Sequence, residues 1–270
     1  MSIGGDKWRL MAAAFQSDVK YDFFGIGGDG RGPAIPLSQP MDLVVGEVLR
    51  RVTPNLFLGL KGTYSETEIG LNIPTDSLPP SLDLNKLVVD LTLATLTPRL
   101  RYDSRDSDFY PTSGFLVDAD IAITRTAFGA DLDYEKFSLS ANHYYPLSKS
   151  GVIASRVSTQ YASSDTPFFM YPAFGMGADL RGYQTGTYRD QYLIAMQSEY
   201  RHQFSQKIGG VVFLGVGAVS SELGDRGTSL PSAGVGFRYV LAQQNNVGLR
   251  FDVAKGRDDT TWYVGVGEAF

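Results

Sequence analysis

Few side chains in this sequence are suited to acid–base or metal chemistry. His143 and His202 are the only histidines, and neither lies at the spacing of a zinc site. Ser140 lies three residues before His143, so a nucleophile and its base are conceivable there. The alternation of the surrounding segment, however, places His143 on an apolar face. We therefore expect no catalytic residues, no metal and no cofactor.

Two loops contain patterns that elsewhere bind phosphate or calcium. The glycine series from Gly25 to Gly30 lacks the lysine and the following helix of a phosphate loop, so it predicts a flexible external loop. Asp103, Asp106 and Asp108 form an acidic group that could hold calcium, although solvated turn carboxylates are the simpler interpretation. With a formal net charge of −5, the chain gives no indication of nucleic-acid binding.

A third loop carries a more specific arrangement. It contains Leu180, Arg181, Gly182 and Tyr183, and Glu199 follows in the next apolar segment. A planar guanidinium can donate two parallel hydrogen bonds to one carboxylate. Gly182 permits a backbone conformation that other residues resist, and Tyr183 can pack against a wall. An isolated arginine of this kind is usually solvated, so its role depends on the elements around it.

Those elements are predicted to be strands along the whole chain. Alternating apolar and polar residues are separated by turn-rich gaps, and no change in composition marks a second domain, so residues 1–270 form one predicted domain. About twelve strands are predicted. They are centred in 7–20, 42–52, 56–66, 86–102, 114–125, 134–146, 151–162, 191–203, 208–219, 232–241, 246–254 and 261–270.

The predicted strands have one apolar and one charged face. In 114–125, Phe115 and Ile121 share one face, while Asp118 and Asp120 share the other. A soluble β-sandwich shows the same period of two. Many of the segments, however, reach the roughly 9–11 residues that a tilted membrane strand needs. No apolar stretch approaches the roughly 20 residues of a transmembrane helix.

Loop lengths favour a membrane barrel over a sandwich. Short gaps such as 53–55, 146–150 and 205–207 alternate with long ones. Outer-membrane barrels have short periplasmic turns and long extracellular loops. The sequence thus predicts an all-β fold, a transmembrane antiparallel up-and-down β-barrel in the bacterial cell outer membrane. The lipid bilayer of that membrane is its expected partner.

The last predicted strand suggests how the barrel closes. Trp262, Val264, Val266 and Phe270 share one face, and pairing this strand with residues 7–15 would remove both exposed sheet edges. We therefore predict that these four residues form a C-terminal closure and assembly signal. The outer-membrane assembly machinery is the expected partner during biogenesis, and self-association is left open.

The N-terminal residues predict a processed or shortened chain. Residues 1–6 lack the basic region of a signal peptide, and charge resumes at Lys7 and Arg9. A barrel that crosses the periplasm needs a leader, so we expect a mature form or the absence of an N-terminal part. The lack of cysteine suits passage through an oxidising compartment.

Several motifs, in the right order, resemble the BamA/TamA superfamily of outer-membrane assembly and translocation barrels, also called bacterial surface antigens. These motifs are the turn 103–114, the loop residues 175–183 and 186–190, the run 199–201 and the aromatic C-terminal strand. The resemblance covers 86–270 and implies a short form without POTRA modules. It also implies that Arg181 folds into the lumen and pairs with Glu199. The aspartate usual on the next strand is Gly215 here, so we expect a weaker pairing or substitution by Asp252 or another acid.

The resemblance implies protein insertion or translocation, or transport, with the loop plugging or bracing a narrow interior. One alternative is a membrane-anchor or secretion barrel of a larger protein whose POTRA or patatin-like lipase module is missing here. A soluble all-β binding barrel is an alternative of another class. The sequence does not identify a client or substrate, because a fold does not determine a function.

Overall fold

The protein folds as one antiparallel sheet in which each strand pairs with its neighbours in the chain. A computed structural model describes residues 2–3, 7–27, 34–72, 89–175, 179–225, 227–242 and 247–270. The strands are β1 (Ser2–Ile3), β2 (Trp8–Phe23), β3 (Ile35–Arg51), β4 (Leu56–Leu71), β5 (Val89–Asp103), β6 (Gly114–Thr124), β7 (Tyr134–Pro146), β8 (Gly151–Ala162), β9 (Tyr192–Gln203), β10 (Ile208–Ser220), β11 (Leu230–Ala242), β12 (Val247–Lys255) and β13 (Thr260–Val266). In the described part of the chain, no helix has the length and hydropathy needed to cross a membrane.

The long strands β2 to β13 correspond to the predicted ones, which confirms the all-β up-and-down fold. β3 begins at Ile35 instead of near 42, and β4 continues to Leu71, beyond the predicted 66. Leu37 and Ile69 extend these strands because both are buried in an apolar cluster with Phe169. Some of the predicted loops and strand ends, at residues 28–30, 86–88 and 243–246, lie outside the described residues.

The register of the sheet divides the strand residues between two faces. Phe115 on β6 lies opposite His143 on β7, and His143 lies opposite Ser155 on β8, so these three share the outer face. Outward apolar side chains stay exposed, as Leu214 (68%) and Val235 (57%) show. Such a continuous apolar exterior is unfavourable in water and suits lipid.

The two faces make opposite predictions for a new charge. Leu214→Arg places a guanidinium at the middle of β10 on the outer face, and we expect it to lower the free energy of unfolding by about 2–4 kcal/mol. Thr63→Arg, which faces the lumen from β4, should be nearly neutral. Urea unfolding in detergent micelles measures both. Equal losses would mean that the outer face is not lipid-exposed.

Candidate functional site: a charge ring in the barrel lumen

The loop between β8 and β9 folds back into the barrel. This lumen loop is described over residues 163–175 and 179–191. Phe174, Leu180 and Tyr188 are each at most 2% exposed, and they pack with Leu193 and Leu230 from the inner wall. This apolar contact fixes the loop and brings the neighbouring Arg181 against the wall.

Arg181 uses its whole guanidinium group inside the barrel and is 2% exposed. Its Nη1 donates to Asp252 Oδ2 over 2.7 Å, its Nε donates to Gln197 over 3.2 Å, and its Nη2 donates to Glu199. The guanidinium carbon lies 3.5 Å from the centre of the Phe213 ring. The structure thus brings together Arg181 and Glu199, which the sequence pairs.

Further charges extend this contact into a closed ring. Arg238 bonds Asp252 over 2.6 Å and Glu268 over 2.7 Å. Arg201 bonds Glu199 over 2.7 Å and lies 3.7 Å from Glu268. Acids and arginines therefore alternate around what we call the charge ring: Arg181, Glu199, Arg201, Glu268, Arg238 and Asp252. Such alternation is required because an unpaired buried charge costs several kcal/mol, roughly.

Gly215 has no space for the aspartate that the resemblance expects. A Cβ built there would lie 2.8 Å from Leu180 Cδ1 and 2.9 Å from the carbonyl oxygen of Met196. Leu180 occupies this space, and Asp252 on β12 supplies the second carboxylate instead. Substitution by Asp252 was one of the alternatives that the sequence left open.

Gly182 and Tyr183 join the loop to β11 and to the β12–β13 hairpin. Gly182 has a φ of +104°, and its Cβ would lie 2.7 Å from the Gly256 nitrogen, so a side chain would be both strained and obstructed. Its N–H donates to Tyr263 Oη over 2.8 Å. Tyr183 Oη donates to the Pro231 carbonyl over 2.5 Å. Burial raises the pKa of Tyr183 to about 12, so the phenol stays a donor well into the alkaline range.

The other end of the lumen loop contacts the first hairpin. Gly27 N–H donates to the Arg189 carbonyl over 2.8 Å, and the Phe23 and Phe168 rings lie 4.7 Å apart. The Arg189 guanidinium donates to the Phe168 carbonyl and lies 5.8 Å from the Phe23 ring centre. Burial lowers the pKa of Arg189. The loop thus bonds to both ends of the sheet.

The sequence predicts hydrogen-bonded pairing between the first and last long strands. For the described residues this prediction is wrong. β13 has registers with β12 alone, and residues 11–23 of β2 have registers with β3 alone. The short β1 pairs with Trp8 and Arg9 on the free side of β2. We call the boundary between β2 and β13 the seam.

Phe270 does not share the outer face of the last strand, which corrects the prediction. Trp262, Val264 and Val266 do face outward, at 63%, 75% and 65% exposure. β13 ends at Val266 and the chain turns at Gly267, whose φ is +79°. The Phe270 carbonyl then accepts a 2.7 Å hydrogen bond from Arg201 Nη2 in the lumen. A role of these residues as an assembly signal stays a prediction.

The other chemical candidates are separated by the fold. His143 stacks on Phe115 on the outer face at 4.4 Å, whereas Ser140 has inward parity on the same strand. Asp103 and Asp108 both bond Arg105. Asp106 caps a turn through Thr112 and Ser113, and these bonds outweigh burial and lower its pKa. The three aspartates therefore do not converge on one cation.

The fold and the lumen contacts agree with a sequence-family match. A model described as the Omp85 superfamily domain matches residues 64–270. The chain belongs to the Omp85 superfamily. This confirms the resemblance found in the motifs and, with the likeness to related barrels, the location in the bacterial outer membrane. Omp85-type barrels are insertion, secretion or channel proteins.

Two solved Omp85-type barrels share the fold. BamA from Haemophilus ducreyi lacking POTRA domains 1–3 superimposes with a TM-score of 0.72 at 17% identity, covering 98% of this chain and 60% of that one. CdiB from Escherichia coli gives 0.58 at 13% identity, covering 97% and 50%. The chain thus spans about three fifths of the BamA chain it matches. A comparison with curated proteins finds no match.

The charge ring predicts a strong dependence on Arg181. Arg181→Ala leaves Glu199 and Asp252 facing each other without that cation, so the free energy of unfolding should fall by about 3–5 kcal/mol. Urea unfolding in micelles provides the measurement, and a double-mutant cycle with Glu199→Gln isolates the coupling.

Arg125→Ala is the matched control, because it also removes a loop arginine paired with a glutamate. The Arg125–Glu135 pair is exposed, at 31% and 53% for the two side chains. We expect its loss to change stability by less than about 1 kcal/mol. Equal effects of the two substitutions, or strict additivity in the Arg181–Glu199 cycle, would contradict a coupled buried ring.

Proposed function

We propose that this Omp85 barrel inserts or translocates polypeptides by accepting client β-strands at the seam. The single observation that carries the proposal is the lack of a ladder between β2 and β13 among the described residues. An incoming strand can hydrogen-bond to such an edge along its whole length, which is strand addition.

The energetics of the membrane favour this role. Backbone N–H and C=O groups that face lipid without partners cost several kcal/mol each, roughly. Among the described residues, β13 (Thr260–Val266) has one neighbouring strand, so a second neighbour would satisfy the backbone groups on its other edge. The free energy gained by pairing would drive a client strand from the lumen or periplasm into the wall.

The lumen loop supports the proposal because it can hold the barrel together without a ladder. It bonds β12 through Arg181 and β13 through Gly182, and it contacts β2 through Phe168. Contacts that run from the middle of β12 and β13 to the long-loop end of β2 therefore connect the two sides of the seam. The strand edges below remain available to a client.

Photo-cross-linking from the seam tests the proposal. A benzoylphenylalanine at Val264, which is 75% exposed on β13, should capture an unfolded outer-membrane protein added to barrel-containing vesicles. The same probe at Leu214 is the matched control, since this residue is 68% exposed on β10 but has a neighbouring strand on both sides. We expect adducts from Val264 and few from Leu214.

Two outcomes would contradict strand addition. Similar yields at both positions would show that clients only contact the apolar exterior. No adduct from Val264, or from a second seam probe at Phe15 on β2, would show that the edge accepts no client. A gel shift between heated and unheated samples verifies that every labelled barrel is folded.

Transport through the lumen makes a separate prediction. The lumen loop packs against the inner wall near the long-loop end, so the native barrel should show a low conductance in planar bilayers. Arg181→Ala loosens the loop and should increase both the conductance and its fluctuations. A large, steady native conductance that Arg181→Ala leaves unchanged would favour an open channel over an insertion or translocation barrel.

A further inference from the structure

The outer face of β3, β4 and β5 carries a furrow where side chains are missing. Gly46 and Gly62 are directly paired on this face, and no atom lies within 4 Å of a Cβ built on either. Glycine weakens a strand interior and often marks the close approach of a ligand. No bulge or positive φ accounts for either glycine.

Apolar side chains line this furrow. Val44 on β3 and Tyr64 on β4 are paired on the side of the furrow that lies nearer the long-loop end. Leu96 on β5 lies opposite Gly62. Phe128, from the β6–β7 turn, completes a cavity of about 340 Å³. The furrow therefore has the shape and polarity to hold a hydrocarbon chain within the lipid-facing surface.

A second cavity of about 400 Å³ continues the furrow toward the long-loop end, and its rim is acidic. Two residues beyond Val44 and Tyr64 on their strands, Asp42 lies opposite Glu66. Tyr64 Oη donates to Glu66 over 2.9 Å and so links the two cavities. The acids that line the second cavity are Asp42, Glu66, Glu68, Asp90 and Asp131.

These acids create a local excess of negative charge. Glu68 also lies directly opposite Asp90, and like charges across a strand pair are destabilising. In the part of the chain that the structure describes, no lysine or arginine forms a salt bridge with any of the five. A cation at this position would relieve both repulsions.

We propose that the furrow and its acidic rim bind one membrane lipid with a cationic head group. The acyl chain lies in the furrow over Gly46 and Gly62, and the head group contacts Glu66 and Glu68. Charge complementarity identifies the head group, and the apolar furrow in the membrane-facing surface identifies the chain. The site lies on the exterior of β3–β5, so it is independent of strand addition at the seam.

Lipid retention in native mass spectrometry tests this site. The barrel in maltoside micelles is mixed with equal amounts of a trimethylammonium-propane lipid and a phosphatidylglycerol of the same acyl chains. We expect one cationic lipid to be retained with a preference of about fivefold, the order that one or two exposed ion pairs provide.

Two kinds of variant separate the head-group and chain contacts. Glu66→Gln with Glu68→Gln should abolish the preference for the cationic lipid, while retention of the phosphatidylglycerol remains. Gly62→Leu should reduce the retention of both lipids, because it fills the furrow. As a control for the head-group contacts, Glu222→Gln with Asp225→Asn makes the same change in charge on an exposed loop and should leave the preference unchanged. Ala233→Leu adds nearly the same bulk, one carbon less, on the outer face of β11.

The proposal is wrong if the native barrel retains the two lipids equally. It is also wrong if the preference for the cationic lipid survives Glu66→Gln with Glu68→Gln. A preference for phosphatidylglycerol that needs a divalent cation would also overturn it, since the acids would then hold a bridging metal. A gel shift on heating establishes that each variant is folded, so loss of binding is not loss of structure.

Discussion

A buried guanidinium is costly unless partners compensate its charge, and around Arg181 this constraint organises the charge ring. Arg181 enters the barrel because apolar neighbours in its loop bury there, and it then requires carboxylates from the wall. Glu199 and Asp252 meet that requirement but introduce their own need for cations. Arg201, Arg238 and Glu268 complete the alternation, so a single loop arginine connects β9, β11, β12 and the C-terminal residues.

The sequence could predict the strands and one contact of the ring, because both depend on local patterns. The period of two assigns Glu199 to the inner face, and the Arg-Gly-Tyr run identifies the loop. Asp252 lies 71 residues from Arg181, so its contact depends on the register of several ladders and was only one expectation among others. The same alternation assigns Arg201 and Arg238 to the inner face. This pattern could have identified both as further members of the charge ring.

Two differences from the sequence-based expectations have local causes that a pattern does not reveal. The early start of β3 at Ile35 depends on Leu37 burying against residues from distant parts of the chain. The inward turn of the C-terminal residues depends on a positive φ at Gly267 and on a hydrogen bond to Arg201. Trp262, Val264 and Val266 face outward as the alternation predicts. Phe270, which follows that glycine, does not.

The two ends of the lumen loop are held with unequal strength, which determines how the barrel would come apart. Toward β12 and β13 the loop is fixed by buried ion pairs and by the Gly182–Tyr263 bond. Toward the N-terminal strands it has the Gly27–Arg189 backbone bond, the Phe23–Phe168 contact and the apolar cluster of Phe169 with Leu37, and among the described residues these contacts include no carboxylate. A force that separates β2 from β13 would break these contacts before it breaks the buried ion pairs. The N-terminal strands would then move away together, because β3 stays paired with β4, while the loop stays with the C-terminal strands.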